Sequence, residues 1–307
     1  MPSEIIVIIN PAAGAGAASK AGDRLAEQFR AAGVDSQIVS ARTRNKFIAA
    51  AERAAGASPR IVVAGGGDGT VSAVASRLVG TGIALGVLPL GTLNHFACDL
   101  GIPPDIEEAA KIIIAGNVGT VDAGEVNGHV FLNNSSLGIY PEIVRDREKQ
   151  QKRQGAGNWP AFVRATLAVL HRHPFMDVRL RVNGEDRRRR TPFVLIGNNE
   201  YRMESLDGGC RARIDAGKLS LYLTRHRGSR WGLLKLAAKA LLGTLRQATE
   251  FEALTATDFL IETRRRRLKV AMDGEVTVMA TPLRYRIRPG ALRVIVPVPV
   301  PKPAGGT

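Results

Sequence analysis

The chain has 307 residues, of which 45% are hydrophobic, and it carries a formal net charge of +15. This size and composition exclude a wholly disordered chain and provide a core for one large domain or two ordinary ones. The positive charge favours phosphates, nucleic acid or anionic lipid as partners, without indicating what is done to them.

The N-terminal part alternates β-branched runs with helical patterns. The runs "EIIVIIN", "SQIVSA" and "RIVVAGG" predict three strands, separated by helices over about residues 18–32 and through "FIAAAERAA". A further helix, the strand "IALGVLPLG" and the helix "IEEAAKIIIAG" follow, and this pattern ends near Val121. The βαβαβ order predicts a parallel sheet covered by helices.

Beyond Val121 the pattern becomes that of hairpins. Asn183-Gly184 is a turn signal, and "LKVAMDGEVTV" predicts a strand, a tight turn and a second strand. We therefore expect a second, mostly antiparallel domain, interrupted by helices around residues 159–171 and 231–245. The expected domains are residues 1–124 and 125–298, followed by a Pro-rich tail at 299–307.

The turn "GGGDGT" lies between a buried strand and a helix, where exposed backbone N–H groups suit a phosphate. It lacks the lysine of a P-loop and does not fit GxGxxG. Asp68 in this turn suits a nucleotide bridged by Mg²⁺. From this turn alone, the favoured interpretation is that Asp68 caps the following helix.

Two other turns strengthen the prediction of a site. Asn10 follows the first strand, and Gly91, Thr92 and Asn94 follow the strand "IALGVLPLG". Ligands of open parallel sheets bind beyond the carboxyl ends of the strands. We therefore expect the three turns to converge on one site.

Four motifs together are more specific than any of them alone. "NPAAG", "GGGDGT", "PLGTLNHFA" and "MDGE" resemble, in order and approximate spacing, the diacylglycerol kinase catalytic family, which includes bacterial lipid kinases and eukaryotic sphingosine and ceramide kinases. The resemblance covers nearly the whole chain. It implies an N-terminal Rossmann-like α/β nucleotide-binding domain with a parallel sheet and an antiparallel β-sandwich-like domain, with the active site in the cleft between them. The implied activity is phosphorylation of a hydroxyl of diacylglycerol or a related membrane lipid, with ATP and Mg²⁺ as cofactors.

The same resemblance assigns roles residue by residue. Glu275 would be the general base that takes the proton from the lipid hydroxyl, and Asp273 would support metal or base geometry. Without the resemblance, two acids beside a turn are more often solvated hairpin charge. The residues implied in ATP binding are Asn10, Gly66, Gly67, Asp68, Gly69, Thr70, Gly91, Thr92 and Asn94, of which Asn94 is expected to hold loops rather than react.

Several positions depart from the family pattern. His95, Ser72, Ala73 and Ala216 replace residues that the family motifs often carry, and two of these changes remove acids expected near Mg²⁺. Asp68 and, in part, Asp215 are the remaining candidate metal ligands. Three functions stay open: a lipid kinase with altered metal use, a kinase of a soluble substrate in the manner of NAD kinase, and a sensor that binds without turnover.

Two basic features bear on the partners. The helix predicted at 231–245 has a basic stripe opposite a leucine-rich face, which fits either a membrane interface or ordinary packing. The runs Arg187 to Arg190 and Arg264 to Arg267 favour membrane phosphates or plain solvation over nucleic acid, because only 5% of residues are aromatic. The expected partners are a lipid substrate at a membrane surface, anionic phospholipid and a second copy in a homodimer, with no nucleic acid.

The expected location is the cytoplasm, peripheral to the inner face of the membrane, because the first apolar run is too short to span a bilayer. Cys98 and Cys210 have no metal-ligand spacing. We therefore expect two buried thiols in a reducing compartment, with no disulfide framework.

Overall fold

The computed structural model describes residues 4–13, 17–138, 175–200, 210–224 and 251–298. The spatial contacts between its residues divide the chain into two compact units. The first unit contains the residues up to Val121 and those from Gly290 onward, and the second runs from Asp122 to Pro289. In sequence, the second unit is therefore inserted into the first.

The first unit alternates strands and helices, as predicted. Its elements are β1 (Ile5–Ile9), α1 (Ala17–Ala31), β2 (Ser36–Ser40), α2 (Arg44–Gly56), β3 (Ile61–Gly66), α3 (Asp68–Leu78), β4 (Ala84–Pro89), α4 (His95–Asp99) and α5 (Ile106–Ala115). The strands pair in parallel in the order β2-β1-β3-β4. Every residue of β1, β3 and β4 is buried, as expected of parallel strands covered by helices. The predicted α/β sheet is confirmed.

Local chemistry sets the bounds of α5. Asp105 precedes it, and its side chain accepts a hydrogen bond from the Glu108 N–H at 2.9 Å. Gly116 follows it with a φ of +67°, a conformation that glycine adopts at low cost. Between these ends, Ala109, Ala110 and Ile113 form the buried face.

The second unit is a sandwich of antiparallel strands. The remaining strands of the chain are β5 (Val118–Val126), β6 (His129–Phe131), β7 (Asn134–Gly138), β8 (Met176–Val182), β9 (Glu185–Thr191), β10 (Phe193–Asn198), β11 (Leu219–Thr224), β12 (Phe251–Ala256), β13 (Asp258–Thr263), β14 (Arg267–Met272), β15 (Glu275–Ala280) and β16 (Leu283–Ile295). One sheet has the order β12-β11-β10-β7-β14-β15, and β16, β13, β8 and β9 follow one another in a second. Alternate side chains from both sheets form one apolar core. The predicted β-sandwich-like architecture is confirmed.

Strand β16 belongs to both units. Its first part pairs with β13 in the second unit, whereas Arg293 and Val294 pair in parallel with β4 in the first. We predicted that the second domain continues to residue 298 and starts at 125. The contacts instead assign residues from Gly290 to the first unit and begin the second at Asp122, because this return strand completes the parallel sheet.

Other expectations have mixed outcomes. The turn at Asn183-Gly184 is confirmed, with φ of 50° and 81° between β8 and β9. The expectations of buried thiols and of no disulfide are both wrong, since Cys98 is half-buried, Cys210 is exposed and both are disulfide-bonded. The helices predicted at 159–171 and 231–245, and the tail at 299–307, lie outside the described residues. Within the described ranges, no helix combines the length and apolar character needed to cross a bilayer.

Candidate active site

The three glycine-bearing turns of the first unit meet at the carboxyl ends of its strands. The Asn10 N–H donates to the Gly65 carbonyl at 2.8 Å, and the Leu90 N–H donates to the Gly66 carbonyl at 3.1 Å. A Cβ on Gly67 would lie 3.3 Å from the Gly91 Cα. The structure thus brings together the turns that the sequence placed at one edge of the sheet.

Glycine is required where these turns approach each other. A Cβ on Gly66 would lie 2.6 Å from the Thr70 Cβ, and a Cβ on Gly91 would collide with the Gly67 Cα. Helix α3 begins directly after Gly67, which has no side chain with which to cap it. Its first backbone N–H groups are therefore available to an anion, which is the arrangement that phosphates bind.

Asp68 holds a helix other than its own. Its carboxylate accepts the His95 N–H at 3.1 Å and the Phe96 N–H at 3.0 Å, one on each oxygen. These are the first two residues of α4, so Asp68 satisfies N–H groups that the helix itself leaves unpaired. The capping interpretation of Asp68 named the following helix, α3; in the structure the capped helix is α4.

The side chain of Asn94 closes the turn that precedes α4. Its Oδ1 accepts the Gly91 N–H at 2.9 Å, and its Nδ2 donates to the Gly91 carbonyl at 2.8 Å. The residue has a φ of 49°, which asparagine tolerates better than most residues. Thr92, between them in sequence, is exposed. Asn10 likewise shapes its own turn, since its Oδ1 accepts the Ala12 N–H at 3.1 Å.

In the second unit, Asp273 and Gly274 form the predicted tight turn between β14 and β15. Both have positive φ, 46° and 86°, and Met272 and Glu275 are the paired residues that flank them. This is the geometry of a two-residue hairpin, for which Asp-Gly is a preferred sequence. The turn places Glu275 at the first position of β15, where it is half-buried.

Asp273 fixes this turn to another segment of the second unit. Its carboxylate accepts the N–H groups of Leu132 at 2.8 Å, Asn133 at 2.8 Å and Asn134 at 3.2 Å. Its own N–H donates to the Asn134 carbonyl at 3.0 Å. Asp273 therefore positions this turn, which we call the acidic turn because it comprises Asp273 and Gly274 with Glu275 directly after them.

Arg211 binds the same segment through its oxygen atoms, whereas Asp273 binds its N–H groups. Its guanidinium donates to the Leu132 carbonyl at 3.0 Å, the Asn198 carbonyl at 2.7 Å and the Asn133 Oδ1 at 3.1 Å. The buried Asn198 side chain also donates to the Leu132 carbonyl, at 2.8 Å. Arg211 and Asn198 were not predicted from the sequence, because most of their partners lie far away along the chain and no local pattern marks them.

Buried polar groups hold the segment from Asp215 to Gly217, which contains one of the candidate metal ligands. The carboxylate of Asp122, which is 2% exposed, accepts the Gly217 N–H at 2.7 Å. Asn199 accepts the Ala216 N–H at 2.9 Å. Asp215 is exposed and accepts a hydrogen bond from Arg213 at 3.0 Å. This hydrogen bond and the charge of Asp215 raise the pKa of the Arg213 guanidinium.

Side chains do not assemble a Mg²⁺ site in the described parts of the chain. There, no group of three or more His, Cys, Asp or Glu residues is placed to hold a metal ion. Asp68 has both oxygens on backbone N–H groups, and Asp215 pairs with Arg213. The donor set does not fit a Mg²⁺ ion ligated mainly by protein.

Comparison with known families identifies most of the chain. Residues 4–126 match the diacylglycerol kinase catalytic domain. Residues 144–296 match the YegS C-terminal NAD kinase beta sandwich-like domain. The chain belongs to the diacylglycerol kinase catalytic family.

Several curated proteins and solved structures are similar to this chain. A protein of Chromohalobacter salexigens named "Probable lipid kinase YegS-like" is 28% identical over 251 residues, covering 77% of this chain and 76% of the relative. A protein of the same name from Klebsiella pneumoniae is 43% identical over 94 residues, 30% of this chain and 32% of the relative. A diacylglycerol kinase structure from Bacillus anthracis matches with a TM-score of 0.70 and 23% identity over 96% of this chain and 97% of that chain, which supports the fold.

Membership in the diacylglycerol kinase catalytic family fixes the reaction type. The family is one of lipid kinases, so the chain is a phosphotransferase with an alcohol acceptor, and ATP is the implied phosphoryl donor.

Replacement of Gly91 by alanine tests whether the close approach of the turns matters for ATP. The added methyl must push Gly91 away from Gly67, and overpacking of this kind typically costs about 1–3 kcal/mol. We expect ATP affinity, measured by titration with a fluorescent ATP analogue, to fall about tenfold or more. Gly56→Ala is the control, because a Cβ there meets nothing within 4 Å. Unchanged affinity in Gly91→Ala would exclude these turns from the nucleotide site.

Proposed function

We propose that this chain transfers the γ-phosphoryl group of ATP to a hydroxyl of diacylglycerol or a related membrane lipid. The observation that carries the proposal is the match of two kinase-family domains over most of the chain. The meeting of the glycine turns in the first unit and the fixed acidic turn in the second unit support it.

Each unit has its own part in the proposed reaction. The turns that contain Asn10, Gly66 to Thr70, and Gly91 to Asn94 bind ATP through backbone N–H groups. Glu275 takes the proton from the lipid hydroxyl as its oxygen attacks the γ-phosphorus. The new O–P bond forms, the bond between the γ-phosphorus and the bridging oxygen breaks, and ADP leaves. Phosphoryl transfer depends mostly on positioning and charge neutralisation, and a general base adds to these.

Mg²⁺ enters the proposal as the counter-ion of the nucleotide. A Mg²⁺ ion bound with ATP would supply neutralisation of the phosphate charge. Asp68 and Asp215 stay predicted contacts to its water shell, because Mg²⁺ typically retains several waters beside substrate phosphates.

Phosphorylation of a soluble substrate is the second candidate function. It is favoured by one observation, the match of the second domain to a sandwich described as NAD kinase-like. NAD kinase activity would require that the chain bind NAD and phosphorylate its ribose. The same assay with NAD in place of lipid separates the two candidates.

The test is a lipid panel with product identification. The protein is incubated with ATP, Mg²⁺ and anionic vesicles that carry diacylglycerol, ceramide, sphingosine or monoacylglycerol, and products are identified by mass. We expect one lipid of the panel to be phosphorylated, with one ADP formed for each phosphorylated lipid. ATP binding without modification of any lipid or NAD would favour a sensor that binds without turnover. That alternative is motivated by His95 and Ala216, which depart from the family pattern.

Arg211 is a positioning residue under this proposal, and its replacement gives a further prediction. Arg211→Met removes the hydrogen bonds that hold Leu132 and Asn133, whose N–H groups fix Asp273. We expect kcat to fall about tenfold, with the KM for ATP unchanged and the pH profile of kcat displaced. Arg213→Met is the control, since Arg213 is exposed and pairs only with Asp215 among the described side chains. Equal kinetics of the two variants would remove Arg211 from the mechanism.

A further inference from the structure

Four consecutive arginines follow β13: the first three connect it to β14, and the fourth is the first residue of β14. Arg264, Arg265, Arg266 and Arg267 are all exposed. We call these residues the arginine turn. Together they place four positive charges at one end of the hairpin that carries the acidic turn at its other end.

The backbone of the arginine turn is held in place while its side chains are not. The Thr281 hydroxyl donates to the Arg265 carbonyl at 2.7 Å, and the Thr281 N–H donates to the Arg266 carbonyl at 3.1 Å. The Arg265 N–H donates to the Thr263 hydroxyl at 3.2 Å. In the described part of the chain, none of the four guanidinium groups has an ion pair or a hydrogen bond. The turn therefore presents uncompensated charge on a fixed backbone.

The other arginine run differs in this respect. Arg189 pairs with Glu252 at 3.0 Å, and Arg187 pairs with Glu185 at 2.9 Å. On the neighbouring strand β8, Arg181 and Arg179 pair with Asp186, and these hydrogen bonds lower the pKa of the Asp186 carboxyl. Acids thus neutralise much of that region, whereas the arginine turn keeps its full charge for a partner.

An apolar side chain accompanies the arginine turn. Val278 on β15 is 59% exposed, and its partner across the hairpin is the exposed Lys269. Strand β15 is the edge of its sheet. Basic residues beside an exposed aliphatic side chain are the chemistry of a surface that contacts anionic headgroups and the apolar layer beneath them.

We propose that the arginine turn and Val278 dock the protein on an anionic phospholipid bilayer. This inference rests on the proposed function, because a lipid kinase must visit the surface that contains its substrate. The hairpin β14–β15 links the arginine turn to the acidic turn over about 17 Å, from the rise per residue of a strand. A bilayer bound at one end of this hairpin therefore sets the position of Glu275 at the other.

Nucleic acid fits this surface less well. Sequence-tolerant binding of single strands uses exposed aromatic side chains on which bases stack. The aromatic residues between 251 and 298 are Phe251, Phe259 and Tyr285, and all three are buried. Burial also raises the pKa of the Tyr285 hydroxyl, which faces Ser135 in the core.

The test measures vesicle binding by the full chain. Vesicles contain equal parts of phosphatidylglycerol and phosphatidylcholine, and binding is measured by sedimentation over a range of salt concentrations. Each basic residue near an anionic surface contributes about fivefold in affinity, so Arg265→Gln with Arg266→Gln should bind roughly thirty-fold more weakly. The control is Arg30→Gln with Arg53→Gln, which removes the same charge from two exposed helix positions in the first unit. We expect the control to bind as the wild type does.

A second assay separates docking from catalysis. In neutral detergent micelles with a short-chain diacylglycerol, the arginine-turn variant should phosphorylate lipid at the wild-type rate, because no anionic surface is present. Loss of activity there, equal vesicle binding by variant and wild type, or preferential binding of nucleic acid would each overturn the docking proposal. Arginine-dependent vesicle binding in a wild type without kinase activity would support docking while refuting the proposed function.

Discussion

Glu275→Gln is expected to lower the turnover of lipid phosphorylation by about a hundredfold or more, the usual contribution of a general base. Glutamine keeps the size of the side chain but cannot accept the proton of the lipid hydroxyl. Since Glu275 lies at the first position of β15 and is half-buried, the substitution should leave the hairpin intact. The measurement is the rate of phosphorylated lipid formation at saturating ATP, with thermal melting as the check on folding.

Glu262→Gln is the matched control for this change. Glu262 lies on β13 in the same unit, with Arg179 at 3.7 Å as its ion-pair partner. We expect it to retain wild-type turnover. If Glu275→Gln also retained it, Glu275 would not be the base, and phosphoryl transfer would depend on positioning alone.

Asp273→Asn is expected to lower both stability and activity. Asparagine tolerates the positive φ of this turn, so the change tests the carboxylate rather than the backbone. One carboxylate oxygen accepts the Leu132 N–H, and the other accepts the Asn133 N–H. An amide has only one acceptor oxygen, so its NH₂ group must face a backbone donor. Leaving such a donor unpaired costs about 1–3 kcal/mol.

Chemical denaturation and lipid kinase assays measure the two effects of Asp273→Asn. The control is Asp177→Asn, which changes an exposed acid on β8. We expect Asp177→Asn to shift the free energy of unfolding by less than about 0.5 kcal/mol. A variant of Asp273 as stable as this control would mean that the three N–H contacts do not fix the acidic turn.

Much of the fold is predictable because its signals are local. The apolar runs that became β1, β3 and β4 are short and bounded by glycine or proline, and they are buried throughout. The Asp-Gly turn was predictable for the same reason, since two residues specify it. The return of Arg293 and Val294 to β4 was not, because pairing with a strand about two hundred residues earlier leaves no mark in either sequence.

Some features of the candidate site are likewise predictable from the sequence, and others are not. The glycine-bearing turns can be located in the sequence at the ends of predicted strands. Their convergence is expected because the carboxyl ends of parallel strands lie at one edge of a sheet. The hydrogen-bond partners of Asp68 and Asp273 cannot be predicted in this way. Asp68 caps a helix that begins 27 residues later, and Asp273 binds N–H groups about 140 residues earlier. Arg211 satisfies acceptors from separate segments, and only the folded chain brings those segments together.

Strand β16 pairs with strands of both units, and this leaves part of the first unit incomplete while the chain is being synthesised. A ribosome releases the first four strands of the parallel sheet early, but Arg293 and Val294, which cover the edge of β4, emerge only after the whole second unit. Until then β4 presents an unpaired edge, which is the kind of surface that invites association between nascent chains. Removal of the last eighteen residues, from Gly290 onward, should therefore impair the first unit more than the second, although the deleted segment lies next to the second in sequence.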